Sequence, residues 1–197
     1  MSSTIGLIIL AAGASTRMGT PKQLLTHRGQ TLVPRAADAA LASVCRPVVV
    51  VLGAYANQVS FELRELPVRV TMNQQWNEGM SSSIQNGLKT LRDESPEASG
   101  VVIMLCDQPF VSAAIINQLV EAHRQTGNSI VASAYGKTRG VPVLFGRKLF
   151  AELAALKAGE GARQLIANQA SKVVTIYFPQ GAFDVDTPLD YERLVNI

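Results

Sequence analysis

Residues 10–22, which read LAAGASTRMGTPK, combine small residues with two cations. Small residues such as Gly13 let a backbone approach a ligand closely, and a glycine-rich loop can direct successive N–H groups at phosphate oxygens. Arg17 and Lys22 can neutralise a triphosphate and the charge that develops on departing pyrophosphate. The spacing of Gly13, Gly19 and Lys22 fits neither a Walker A loop nor the G-x-G-x-x-G dinucleotide loop. The segment therefore predicts a phosphate site and disfavours a dinucleotide-dependent oxidoreductase.

Two acidic segments can supply oxygen ligands for Mg²⁺. Asp107 follows an apolar run and precedes a chain turn at Pro109, whereas Asp184 and Asp186 lie in the segment DVDTP. Magnesium usually takes one or two carboxylates together with substrate phosphates. Because side chains alternate along an extended segment, we expect only one of Asp184 and Asp186 to face the site.

A third polar segment, GMSSSI at 79–84, places a glycine before three hydroxyls at the start of a predicted helix. Free N–H groups and hydroxyls there suit a base, a ribose or a phosphate, although the segment could serve only as a helix cap. Asn73 ends the preceding strand and can contribute to the same site. We expect Trp76 to pack in the core rather than line an acceptor pocket, and we expect His27 and His123 to lie on the surface.

The elements that must position these residues alternate along the chain as strands and helices. Strands are predicted over 5–10, 47–52, 68–72, 101–105, 129–134, 141–145 and 173–178. Helices are predicted over 31–43, 54–66, 81–91, 112–126, 147–156, 162–170 and 188–195, with Ser112 and Thr187 as N-caps. The continuously apolar strands predict a doubly wound, mostly parallel α/β sheet with helices on both faces. Ligands of such sheets bind at the carboxyl ends of the strands, where the polar segments lie.

Composition narrows the class of protein further. The 197 residues, 47% of them apolar, predict a single domain over 1–197. A net charge of +3 without a basic run, and only 6% aromatic residues, disfavour a nucleic-acid partner. Cys45 and Cys106 are 61 positions apart and are expected to be buried free thiols. No charged leader and no apolar run of membrane length are present, so we expect a cytoplasmic protein without a membrane partner.

The pattern L-A-A-G-x-S-x-R-M-G-x-x-K resembles the signature of the molybdenum cofactor nucleotidyltransferases, and most closely the MocA-like cytidylyltransferases. The guanylyltransferase branch reads L-A-G-G, so Ala12 favours CTP over GTP. The resemblance implies a Rossmann-like nucleotidyltransferase fold, catalytic roles for Arg17 and Lys22, and Mg²⁺ held by Asp107 and Asp186. The nucleotide contacts that it implies, together with the residue patterns, are Leu10, Ala11, Ala12, Gly13, Ser15, Arg17, Lys22, Asn73, Gly79, Ser81, Ser82 and Asp107.

Two further segments are similar to the acceptor side of that family. RGVPVLF at 139–145 resembles R-G-x-P-V-L-F but has Val141 where relatives often carry histidine. GEGAR at 159–163 resembles G-D-x-G-A-R, with one residue fewer and Glu160 in place of aspartate. The candidate acceptor contacts are Gln108, Arg139, Gly140, Pro142 and Arg163.

The implied reaction is transfer of CMP from CTP to the phosphate of molybdopterin, with transient delivery of the product to a molybdenum hydroxylase. Three alternatives remain open from the sequence. The acceptor can be another sugar or alcohol phosphate, the nucleotide can be GTP, or the protein can be a non-catalytic cofactor chaperone. The last alternative does not explain why Lys22, Asp107 and Asp186 occur together, because a carrier needs no triphosphate and metal apparatus.

Overall fold

The apolar runs of the sequence form the strands of one large sheet. The computed structural model describes residues 4–197, and its strands are β1 (Ile5–Ala11), β2 (Thr26–His27), β3 (Gln30–Thr31), β4 (Val48–Leu52), β5 (Arg69–Met72), β6 (Gly100–Leu105), β7 (Ile130–Tyr135), β8 (Thr138–Gly146) and β9 (Val173–Tyr177). Seven of them form a sheet in the order β5-β4-β1-β6-β8-β7-β9. Every residue of β1 and β4 is buried, as a strand covered on both faces requires.

The sheet is mostly parallel, as predicted. β1 pairs in parallel with β4 and β6, β4 with β5, and β7 with β9. β8 runs antiparallel to both β6 and β7. Its start therefore lies at the same edge as the carboxyl ends of β1 and β6. An apolar run does not encode strand direction, so this reversal was not predicted.

Helices cover both faces of the sheet. They are α1 (Leu32–Leu41), α2 (Ala56–Glu62), α3 (Met80–Glu94), α4 (Ala113–Thr126), α5 (Phe150–Ala154), α6 (Ala162–Asn168) and α7 (Pro188–Val195). Alternate residues of β1 supply two separate cores: Leu7 and Ile9 pack with α1, α2 and α4, whereas Ile8 packs with α3, α5 and α6. The doubly wound α/β class is thereby confirmed. Within residues 4–197, no helix has the length and apolarity needed to cross a membrane.

Local predictions had mixed outcomes. Cys45 and Cys106 are free and buried, as predicted, and burial raises the pKa of their thiols to about 11 and about 12. His27 was predicted at the surface and is instead buried in the short hairpin formed by β2 and β3. Burial, with the charges of Arg35 and Arg28, lowers the pKa of His27. The prediction failed because two-residue strands leave no periodic pattern to detect.

Candidate active site

Two adjoining cavities open at the carboxyl ends of β1 and β6. The first, here the loop cavity, has a volume of about 220 Å³ and is bordered by residues 10–13. The second, here the acidic cavity, has a volume of about 440 Å³ and is bordered by Asp184, Asp186 and residues 159–163. Lys22, Met80, Leu105 and Asp107 border both cavities. A group in one cavity would therefore meet a group in the other beside Asp107 and Lys22.

The loop that follows β1 is held by a buried glutamine. Gln23 is 1% exposed, and its Nε2 donates to the carbonyl oxygens of Ala11 at 2.9 Å and Gly13 at 2.8 Å. Ser15 has a positive φ of 52°, and its Oγ donates to Gln23 Oε1 and accepts the N–H of Lys22 at 3.1 Å. Ser15, predicted to contact nucleotide, thus positions Lys22. Gln23 was missed because a glutamine next to an apolar run carries no sign of burial in the sequence.

Lys22 lies between the two carboxylates that were predicted to hold the metal. Its Nζ donates to Asp107, and to Asp186 Oδ1 at 2.9 Å. Burial alone would lower the pKa of Lys22, but the charge of Asp107 and the bonds to both carboxylates outweigh it and raise the pKa. Arg17 Nη2 lies 2.8 Å from Asp186 Oδ2. Burial opposes ionisation of Asp186, but Lys22 and Arg17 more than compensate and lower its pKa.

Both aspartates of the DVDTP segment border the acidic cavity, so the prediction that only one would do so was wrong. Side chains two positions apart lie on the same side of an extended chain. Val185 between them is fully buried, and its N–H donates to the carbonyl oxygen of Asp107 at 3.0 Å. Burial, reinforced by the negative charge of Asp107, raises the pKa of Asp184.

The carboxylates fit a magnesium ion that shares phosphate oxygens with a substrate. Asp107 Oδ1 and Asp184 Oδ1 are buried and have no hydrogen-bond partner within residues 4–197. In the same residues, no three side chains among His, Cys, Asp and Glu are grouped closely enough to hold a metal alone. Magnesium takes one or two carboxylates and completes its shell with water and phosphate. Asp107 and Asp186 suit that role once the Lys22 ammonium is drawn to a phosphate.

Known proteins are similar to this chain in sequence and in fold. Residues 7–173 match the MobA-like NTP transferase domain. The chain belongs to the MobA-like NTP transferase family. It is 32% identical to nicotine blue oxidoreductase of Paenarthrobacter nicotinovorans over 86% of this chain and 84% of that protein.

Solved relatives of this MobA-like chain cover its whole length. Rv0371c from Mycobacterium tuberculosis H37Rv is 31% identical, with a TM-score of 0.87 over 100% of both chains. A structure of Rv0371c in complex with manganese is 29% identical, with a TM-score of 0.82 over 98% of this chain and 99% of that one. The family and fold expected from residues 10–22 are thus confirmed.

In this MobA-like protein, three of the predicted nucleotide contacts lie outside both cavities. Asn73, Ser81 and Ser82 are buried and border neither cavity, whereas Gly79 and Ser83 border the loop cavity. Asn73 Nδ2 donates to Ser82 Oγ at 2.9 Å and to Ser83 Oγ at 3.0 Å. The hydroxyls of Ser82 and Ser83 thus accept hydrogen bonds from within the protein, and α3 begins at Met80, one residue earlier than predicted.

Trp76 was predicted to pack in the core, and this was wrong. It lies in a 3₁₀ turn, Trp76–Glu78, is 36% exposed and borders the loop cavity. Leu10, Ala11, Ala12 and Gly13, which are predicted nucleotide contacts, border the same cavity.

The predicted acceptor residues of this MobA-like chain divide into two groups. Arg163 borders the acidic cavity, and its positive charge acts on Asp184; Val141, which was not among the predicted contacts, borders the same cavity. Four others do not border it: Arg139, Gly140, Pro142 and Gln108. The physical reasons differ. Arg139 donates to the carbonyl oxygen of Ala170, and Gly140 packs so closely that an added Cβ would lie 2.1 Å from Tyr135 Oη.

Pro142 and Gln108 are buried braces of the surrounding backbone. The carbonyl oxygen of Pro142 accepts from Ser133 Oγ at 2.7 Å. Gln108 Nε2 donates to the carbonyl oxygen of Gly181 at 3.0 Å and to that of Val141 at 3.4 Å. Gln108 thereby supports the backbone of Val141, which borders the acidic cavity, and the predicted contact of Gln108 and Pro142 with an acceptor stays a prediction.

Proposed function

We propose that this protein transfers CMP from CTP to the phosphate of a molybdopterin acceptor. A phosphate oxygen of the acceptor attacks the α-phosphorus of CTP and forms the new P–O bond. The bond from the α-phosphorus to the oxygen that bridges to the β-phosphate breaks, and pyrophosphate leaves with that electron pair. A phosphate monoester is already largely ionised near neutral pH, so the step requires no strong general base.

The observation that carries this proposal is the charge cluster where the two cavities meet. Transfer between phosphates depends chiefly on positioning and charge neutralisation. Lys22 borders both cavities, and Arg17 borders the acidic cavity, where it pairs with Asp186. Each cation can exchange an aspartate for a phosphate oxygen as negative charge builds up on pyrophosphate. The nucleotide then occupies the loop cavity and the acceptor phosphate the acidic cavity, with Arg163 as its cationic contact.

Asp107 and Asp186 would hold Mg²⁺ in this reaction. The ion, when bound, supplies neutralisation of phosphate charge and polarises the phosphoryl oxygens. The manganese complex of Rv0371c supports a divalent cation in the family. In the absence of the ion the two carboxylates hold Lys22 in place, and the ion would take their oxygens as the Lys22 ammonium moves to a phosphate.

The identity of the substrates rests on finer features. Ala12 borders the loop cavity at the position where the guanylyltransferase branch carries glycine, which supports CTP. The molybdopterin acceptor and delivery to a hydroxylase follow from the resemblance of the whole chain. Val141 provides an apolar wall where relatives often have histidine, so an acceptor would rely more on Arg163.

Oxidoreductase chemistry is a second candidate because a relative of 32% identity bears the name nicotine blue oxidoreductase. The loop after β1 lacks the G-x-G-x-x-G pattern, which disfavours nicotinamide coenzymes. GTP use, another phosphorylated acceptor and a non-catalytic chaperone are the remaining alternatives.

Thermal denaturation with a panel of nucleotides separates CTP use from GTP use and from oxidoreductase chemistry. A ligand that binds only the native state stabilises it by mass action. We expect CTP with Mg²⁺, at about one hundred times its Kd, to raise Tm by roughly 5 to 10 °C, and GTP, ATP, UTP, NADH and NADPH to raise it less. Equal shifts for all nucleoside triphosphates would contradict the choice of CTP. A shift with NADH or NADPH alone would favour the oxidoreductase.

A further inference from the structure

Trp76 is the single tryptophan of the chain and one of nine large apolar side chains exposed within residues 4–197. It borders the loop cavity together with residues 10–13. We propose that its indole is the surface against which the base of the bound nucleotide packs. This inference rests on the proposed function, because it takes the ligand of the loop cavity to be a nucleotide.

The backbone holds Trp76 directly beside the phosphate loop. Gly53, just after β4, separates the two: a Cβ added there would lie 2.5 Å from the carbonyl oxygen of Ala12 and 2.6 Å from Trp76 Cβ. Only glycine leaves room for this approach. The same oxygen of Ala12 accepts the N–H of Ala54 at 3.1 Å, which fixes the segment after β4 against the loop. The aromatic side chain therefore begins on the other side of Gly53 from the backbone that would carry the phosphates.

A buried hydrogen-bond network holds the turn that carries Trp76. Asn73 Oδ1 accepts the N–H of Gln75 at 2.9 Å, and Ser82 Oγ donates to the carbonyl oxygen of Gln75 at 2.8 Å. The backbone N–H and the backbone carbonyl of Gln75, the residue before Trp76, are thus both held by hydrogen bonds. Such bracing lowers the conformational entropy that the indole would lose on binding a ligand. The polar side chains that were expected to contact a base instead position an aromatic one.

The chemistry of the cavity wall favours a flat, aromatic ligand group at this end. Stacking of a base on an aromatic side chain is worth about 1–3 kcal/mol and tolerates any base. The triphosphate end of a nucleotide is served by residues 10–13 and by Lys22. Trp76 would therefore contribute affinity for the nucleoside part, with the choice among bases made by other groups of the cavity.

Titration calorimetry of CTP and of inorganic tripolyphosphate with wild type, Trp76→Ala and Trp76→Phe tests this role. We expect Trp76→Ala to weaken CTP binding by about 5- to 100-fold and to leave tripolyphosphate binding unchanged. Trp76→Phe should keep CTP affinity within a few-fold of wild type. Tyr177→Ala is the matched control, because Tyr177 is 79% exposed on β9 and borders neither cavity.

The outcomes separate the inference from the function on which it rests. If Trp76→Ala binds CTP as tightly as wild type, the inference is wrong while the proposed function stands. Equal weakening of CTP and tripolyphosphate would show a general distortion and would also overturn it. If wild type binds tripolyphosphate and no nucleotide, both the inference and the proposed function fail. Quenching of the single tryptophan's fluorescence by CTP, and not by tripolyphosphate, is the expected spectroscopic result.

Discussion

At the scale of single residues, the two cations of the site differ in surroundings. The side chain of Lys22 is 17% exposed and reaches two carboxylates, whereas that of Arg17 is 69% exposed and reaches one. Interactions in a partly desolvated site are screened less by water and salt than those at the surface. The positive charge of Lys22 should therefore stabilise the transition state of transfer more than the positive charge of Arg17 does.

Replacement of each cation by methionine tests this difference. We expect Lys22→Met to lower kcat/KM for pyrophosphate release by about 10²- to 10³-fold, the range typical for loss of one preorganised charge-stabilising donor. Arg17→Met should lower it less. Lys89→Met, which removes a surface cation that pairs with Asp93, is the control and should leave the rate unchanged. A smaller effect at Lys22 than at Arg17 would contradict the assigned roles.

At the scale of secondary-structure elements, α7 places Asp186 by fixing the residue that follows it. Thr187 and Asp190 form a reciprocal capping box: Thr187 Oγ1 accepts the N–H of Asp190, and Asp190 Oδ2 accepts the N–H of Thr187 at 2.9 Å. The helix therefore begins at a defined point, directly after the aspartate. Ser112 occupies the same position before α4 but makes no capping hydrogen bond with its side chain.

Because only Thr187 makes a capping hydrogen bond with its side chain, alanine at Thr187 and alanine at Ser112 should lower the free energy of unfolding by different amounts. Thr187→Ala should lower the free energy of unfolding by about 1 kcal/mol, because the N–H of Asp190 in the first turn of α7 loses its acceptor. Ser112→Ala should lower it by clearly less. Urea denaturation of both variants measures the difference. Equal losses at the two positions would contradict the capping geometry.

The elements also show what sequence reasoning can reach. Strands buried on both faces are predictable because every position must be apolar, and the glycine-rich loop and Asp107 follow from their places at strand ends. The bracing by Gln23, Asn73 and Ser82 was not predictable, because a side chain that bonds within the protein has the same identity as one that binds a ligand. The prediction that only one of Asp184 and Asp186 faces the site misapplied the alternation rule, because side chains two positions apart lie on the same side of an extended chain.

At the scale of the whole molecule, the sheet brings distant segments to one edge. The loop after β1, the end of β6 and the start of α7 lie far apart in sequence, yet Lys22, Asp107 and Asp186 are in direct contact. Reversal of β8 adds Val141 to the same edge. Two cavities that share Lys22 and Asp107 are the arrangement that a transfer between two bound phosphate groups needs.

The most direct test of that account follows the α-phosphate itself. Purified protein is incubated with Mg²⁺, molybdopterin and CTP labelled at the α-phosphorus, and label in the pterin product is measured alongside pyrophosphate. We expect one labelled phosphate to enter the product for each pyrophosphate released, and Asp107→Ala to slow this by about 100-fold or more. Tight binding of CTP and molybdopterin without any transfer of label, or normal turnover by Asp107→Ala, would contradict the account.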